Sequence, residues 1–175
     1  MEEGLERWIT GKDGEDYLLR PIRPSDAGSL MRGFDTLSFE SKRFRLLGAR
    51  MHLSEEMARE FCSPDPERVV CLVVEGKGAL AGEIIAGARV GGVEPGAWAE
   101  FSVSARPEAE GTGLARQSLE AVIEEARRRG CVGVRGSIFD RNAAMLGLAR
   151  RLGMTVTNDP DDWALEIAEL SFDGG

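Results

Sequence analysis

Glu110-Gly111-Thr112-Gly113-Leu114-Ala115-Arg116 is the stretch of this chain best suited to hold an anion. An alternating apolar run enters the glycine pair and an amphipathic run leaves it, which predicts a strand, a tight loop and a helix N-terminus. The first amides of a helix lack intrahelical acceptors and carry partial positive charge, so they suit a phosphate or pyrophosphate. Gly111 and Gly113 permit positive φ and let a ligand come close to the backbone. On this segment alone, an ordinary strand-to-helix turn reads equally well. A second motif downstream favours the anion site: Asp140-Arg141-Asn142 opens an Ala/Met/Leu-rich run that closes in Leu152-Gly153-Met154.

The elements that must position these motifs can be read along the chain. Residues 1–15 are polar and glycine-bearing, which predicts a poorly ordered lead-in, with a single domain over 16–172. Residues 17–23 alternate as a first strand, stopped by Pro24. Ser25 or Asp26 can cap a helix reaching about Leu37, and Ser54 caps another with Glu55 and Glu56 in its first turn. Strands follow over 69–75, 80–90 and 97–105, joined by short glycine-rich turns of the hairpin kind. A helix over 114–129 ends at Gly130, a strand covers 132–138, and Asp140 can cap a helix through Leu152. Two further strands are expected over 154–157 and 163–170. This order predicts an α+β domain: a mixed, mainly antiparallel twisted sheet of about six to seven strands flanked by about four helices.

Composition narrows the function classes. A chain of 175 residues with 42% hydrophobic and 30% charged residues has room for one sizeable core. A formal net charge of −8 argues against nucleic acid or an anionic membrane as the partner and is compatible with a cationic one, such as an amine. It fits plain solubility equally. No apolar run is long enough to span a bilayer, and the acidic N-terminus lacks a signal-peptide core. Cys62, Cys71 and Cys131 have no metal-ligand spacing, so no metal is expected, and a reduced cytoplasmic setting fits. His52, the single histidine, sits in a polar stretch and reads as a surface residue.

The two motifs and their separation resemble those of the GNAT superfamily of N-acetyltransferases. Glu110-Gly-Thr-Gly113-Leu-Ala115 is similar to that family's pyrophosphate signature, Gln/Arg-x-x-Gly-x-Gly/Ala, and Asn142 with its helix to the second cofactor motif. A nearer resemblance is to Pat-type acetyltransferase domains, bacterial protein-lysine acetyltransferases. It rests on Arg20-Pro-Ile-Arg-Pro-x-Asp26, Leu37-Ser-x-Glu-Ser-x-x-Phe-Arg45, Gly82-Glu-Ile84, Ala88-Arg-Val90 and Ala99-Glu-Phe101.

The resemblance implies acetyl-CoA as cosubstrate. Its pantetheine arm would pair with backbone near Val103 and Ala105. Its pyrophosphate would meet the amides of Glu110, Gly111, Thr112, Gly113, Leu114 and Ala115, with Arg116 in the first turn. Asn142 would bind the pantetheine or position the amine. It also implies direct attack of an acceptor amine on the thioester with Glu100 as general base, Glu83 in reserve. A lysine amine of pKa about 10.4 must first lose a proton.

The chain departs from the pattern at three places. Glu110 stands where Gln or Arg is usual, and Thr112 where a basic residue is frequent; a carboxylate there would cost on the order of 1 kcal/mol in pyrophosphate binding. Ala149 occupies the position of the relatives' general-acid tyrosine. Gly153-Met154 replaces Gly-Phe. The acceptor is expected to be a lysine-bearing protein, with a small-molecule amine as the rival. Arg43, Arg45 and Arg50 suit either an acidic partner surface or a solvated basic face. A module that binds acyl-CoA without turnover, or only scaffolds a partner, is the alternative outside enzymology, and a homodimer remains open.

Overall fold

The computed structural model describes residues 3–35 and 53–172. Within them an eight-stranded sheet runs in the order β1-β2-β3-β4-β5-β6-β8-β7. The strands are β1 (Arg7–Thr10), β2 (Asp16–Pro21), β3 (Val69–Glu75), β4 (Ile84–Gly91), β5 (Trp98–Ala105), β6 (Gly133–Phe139), β7 (Thr155–Asn158) and β8 (Leu165–Ser171). The helices are α1 (Ala27–Asp35), α2 (Glu55–Phe61), α3 (Leu114–Arg128) and α4 (Ala143–Arg151). Every neighbouring pair is antiparallel except β5–β6.

The strand count exceeds the expected six or seven because part of the anticipated lead-in is structured. Arg7–Thr10 pairs antiparallel with β2, Arg7 opposite Leu19 and Thr10 opposite Asp16. Only Ile9 of this strand is buried, so an edge strand with one inward residue leaves little alternation to read. Two other boundaries move. The strand expected from 80 begins at Ile84, because Gly78–Leu80 forms a 3-10 turn. The cap of α4 is Asn142, not Asp140: its side-chain oxygen accepts from the Met145 N–H at 3.1 Å.

The sheet is covered on both faces. Leu72, Val74, Ala88, Val90 and Phe101 pack on Leu114, Leu119, Val122 and Ala126 of α3. On the opposite face, Ile22, Cys71 and Val73 pack with Ala27, Ala58 and Cys62, which brings α1 and α2 over β3 and β4. The sequence run Arg20 to Asp26 is a structural latch for α1. The buried Arg20 guanidinium donates to both Asp26 carboxylate oxygens at 2.7 and 2.8 Å and to Glu75 at 2.7 Å. Asp26 also accepts the Arg23 N–H at 2.7 Å. These partners push the Arg20 pKa further up, the Asp26 hydrogen bond contributing most. The three cysteines are buried and form no disulfide. No helix among the described residues is long and apolar enough to cross a membrane.

Candidate active site

The parallel pair β5–β6 is short. It joins Trp98 to Gly133, Ala99 to Val134 and Glu100 to Arg135, then stops, while β5 continues to Ala105 on β4 and β6 continues to Phe139 on β8. The two strands therefore part just beyond Glu100. Backbone polar groups alternate sides along a strand. The Ala97 carbonyl accepts from the Val132 N–H on the β6 side, whereas the Arg106 N–H donates to Ile85 on the β4 side. The odd-numbered residues beyond the last β5–β6 pair, Val103 and Ala105, thus present their N–H and C=O groups to the opening. The Phe101 ring fills the vertex over Gly136, where a Cβ would come within 2.8 Å of it.

At the far end of β5, a 3-10 turn over Pro107–Ala109 leads into the glycine loop. Gly111 and Gly113 both have φ of +77°, and Gly113 is the N-cap of α3. Gln117 donates the first helical bond back to Gly113. The amides of Gly111, Gly113, Ala115 and Arg116 have no acceptor among the described residues, and Leu114 meets only the Thr112 hydroxyl at 3.3 Å. An anion-sized nest of donors results. Glu110 is exposed at its edge. Arg116, the offsetting charge expected from sequence, donates one turn down the helix to Glu120 at 2.8 Å.

Glu100 is exposed, and among the described residues its carboxylate has no hydrogen-bond or ion-pair partner. Direct register neighbours share a sheet face. Glu100 therefore shares its face with Arg135, opposite it on β6, and with Glu169 beyond, on β8. One step along lies the row Cys71, Arg89, Ser102. That face opens into a recess of about 340 Å³, its open mouth included, lined by Leu30, Phe61, Gly87, Arg89, Ser102 and Ser104 among others. The Arg89 guanidinium stacks 4.6 Å from the Phe61 ring centre, and Arg135 sits at the same distance over Trp98.

Glu83 has the opposite surroundings. It lies just before β4, not on the strand, and accepts from Arg32 at 2.9 Å and Arg106 at 3.1 Å. A hydrogen bond from Ser29, then the two guanidiniums, hold its pKa below the usual glutamate range. A carboxylate bound this way makes a poor proton acceptor. Sequence reading missed Arg106, which is buried between Ser29, Gly33 and Glu83 and ties the loop entrance to α1.

The remaining positions complete the picture. Asn142 spends its side-chain oxygen on the α4 cap and has its amide N–H groups left to donate. Ala149 is fully buried. The Tyr17 hydroxyl donates to Asp13 at 2.6 Å, which pushes its pKa up to about 12, so it is committed away from the cleft. Arg43, Arg45, Arg50, His52 and the 37–45 part of the resemblance lie outside the described residues. No group of acidic, histidine or cysteine side chains among the described residues could hold a metal ion.

The site is thus a parallel strand pair that parts, with an amide nest beyond its open end. Residues 16–155 match the acetyltransferase (GNAT) domain family, and the chain belongs to it. The structure superposes on the GNAT domain of S. lividans PAT with a TM-score of 0.85, at 24% identity, covering 98% of this chain and 99% of that one. It also matches a ribosomal L7/L12 alpha-N-protein acetyltransferase in complex with coenzyme A, with a TM-score of 0.64 at 16% identity over 91% of this chain and 96% of that one. L-methionine sulfoximine/L-methionine sulfone acetyltransferase of Pseudomonas aeruginosa is 43% identical over 58 residues, 33% of this chain. That match spans only 34% of the Pseudomonas enzyme.

Proposed function

We propose that this GNAT enzyme is an acetyl-CoA-dependent N-acetyltransferase that acetylates a lysine on a protein, with Glu100 as general base. The observation that carries the reading is the parting of β5 from β6 immediately after Glu100. It leaves an open strand edge, a partner-free carboxylate and an amide nest along one line of chain. The free edge at Val103 and Ala105 fits the amide-bearing pantetheine arm, and the nest from Gly111 to Arg116 fits a pyrophosphate. When bound, acetyl-CoA supplies the activated acyl carbon that a neutral amine attacks and the thiol that departs.

The chain's own groups do the rest. Asn142 can donate to the arm through its free amide N–H groups. Glu100 takes the proton of the acceptor ammonium, directly or through one water, because no guanidinium already holds it. Neither Ala149 nor Tyr17 can protonate the departing thiolate, which takes its proton from water or from the ammonium formed when the amine attacks.

A small amine bearing a carboxylate is the second reading. Arg89 favours it: a guanidinium stacked on Phe61 in the recess, one register step from Glu100, with no carboxylate bound to it among the described residues. The partial likeness to the Pseudomonas enzyme points the same way.

Melting curves with acetyl-CoA, followed by thiol-release assays on lysine-bearing proteins and amino acids, test both readings. A ligand that binds only the folded state must raise the melting temperature. Glu100→Gln should keep that rise and lose turnover. Absence of any rise at millimolar acetyl-CoA would sink the enzyme reading.

A further inference from the structure

We infer that Lys12, on the β1–β2 hairpin, supplies the positive charge that the glycine loop itself lacks, binding the pyrophosphate of the acyl-CoA from above the α3 N-terminus. The inference rests on the acyl-CoA reading of that loop and extends it to a residue outside the family's signature.

The hairpin is fastened to the loop at three points. The Lys12 N–H donates to the Thr112 carbonyl at 2.8 Å. Gln117 of α3 donates to the Thr10 carbonyl at 2.9 Å. The Lys12 side chain lies across Gly113: its Cε, Cγ and Cδ are 3.4, 3.6 and 3.8 Å from where a Cβ on that glycine would stand. The ammonium nitrogen is one C–N bond beyond Cε, so it lies within about 5 Å of the same point. That point belongs to the N-cap of α3, beside the open amides of Ala115 and Arg116.

The charge on Lys12 is uncommitted, although the turn around it is acidic. Asp13 accepts from Tyr17 at 2.6 Å, and Asp16 accepts from Thr10 at 2.7 Å. Glu15 is 3.6 Å from Lys77. Among the described residues, no carboxylate pairs with Lys12. The side chain is exposed while its backbone is pinned, so a phosphate could recruit it without displacing a native partner. The turn is also internally bonded, Gly11 to Glu15 at 2.9 Å and Gly14 to Gly11 at 3.0 Å, which holds the lysine at the loop. Basic character absent at Glu110 and Thr112 is thus restored from a segment a hundred residues earlier in the chain.

Calorimetric titration of the full chain with coenzyme A and with 3′-dephospho-coenzyme A, at low and moderate salt, tests this. Lys12→Ala should weaken both ligands by roughly five- to tenfold and flatten the salt dependence, and Lys12→Arg should recover most of the affinity. The melting temperature of the ligand-free variant should be unchanged, since an exposed side chain is removed. Wild-type binding with an unaltered constant and salt slope in Lys12→Ala would overturn the role of Lys12 while leaving the cofactor site standing. A loss seen with coenzyme A and not with the dephospho form would move the lysine to the 3′-phosphate and overturn the pyrophosphate assignment. If the wild-type protein binds neither ligand, the acyl-CoA reading falls and this inference with it.

Discussion

Glu83, just before β4, and Glu100, on β5, have opposite surroundings. Glu83 is clamped by Arg32, Arg106 and Ser29, and the clamp ties α1 to the start of β4. Glu100 stands at the point where two strands separate, exposed and unpaired. The same side chain is held by hydrogen-bonded cations in one place and left without one in the other, and the proposed role of Glu100 rests on that difference. Neighbouring charge, more than residue type, sorts the two.

The comparison can be broken most sharply by exchanging the carboxylates for amides. Glu100→Gln should lower the turnover number by roughly a hundred- to ten-thousandfold, in steady-state thiol release, with acetyl-CoA binding intact. Glu83→Gln should leave the rate per folded molecule within about threefold and cost roughly 1–2 kcal/mol of stability, since Arg106 is then left buried without its carboxylate. If Glu83→Gln instead abolished turnover while folding normally, the roles assigned here would be reversed.

The Arg20–Asp26 pair extends the contrast to a deeper structural carboxylate. Asp26→Ala should destabilise the fold by about 3 kcal/mol in denaturant unfolding, because it leaves a buried guanidinium with Glu75 as its one remaining carboxylate. Acid titration sharpens the comparison further. Glu83 and Glu125 both have folded-state pKa values below the unfolded value, Glu125 chiefly through its bond with Arg128 and then through Arg129. Their stabilisation is complete above about pH 4.5, the ordinary glutamate value, and is lost as pH falls through the lower folded values. The melting temperature should therefore fall on acidification below that point, and Glu125→Gln should flatten the acid limb. Glu110→Gln is the smallest change: coenzyme A affinity should improve about two- to fivefold, with stability unaltered.

Much of the molecule is legible in its residues. The glycine loop, the helix behind it, the central strands and the C′ glycine at 130 follow from local periodicity and from backbone needs that only glycine meets, as φ of +77° at Gly111 and Gly113 and +92° at Gly130 show. Local signals failed at the edge strand Arg7–Thr10, which has a single buried residue. They also failed at the α4 cap, where Asp140 and Asn142 are chemically interchangeable candidates and only the realised turn selects one. Arg106 carried no motif at all. Its importance comes from Ser29, 77 residues earlier in the chain, whose carbonyl it meets at 3.0 Å.

The order of residues by itself determined the α+β succession of elements and the glycine loop, because helix starts, glycine turns and alternating strands are short-range properties of a chain. Three-dimensional packing alone decided which carboxylate is free, where β5 leaves β6, and that Lys12 lies over Gly113. Each of those depends on groups far apart in sequence whose charges and hydrogen bonds compete only after the sheet has assembled, and no local pattern records the winner.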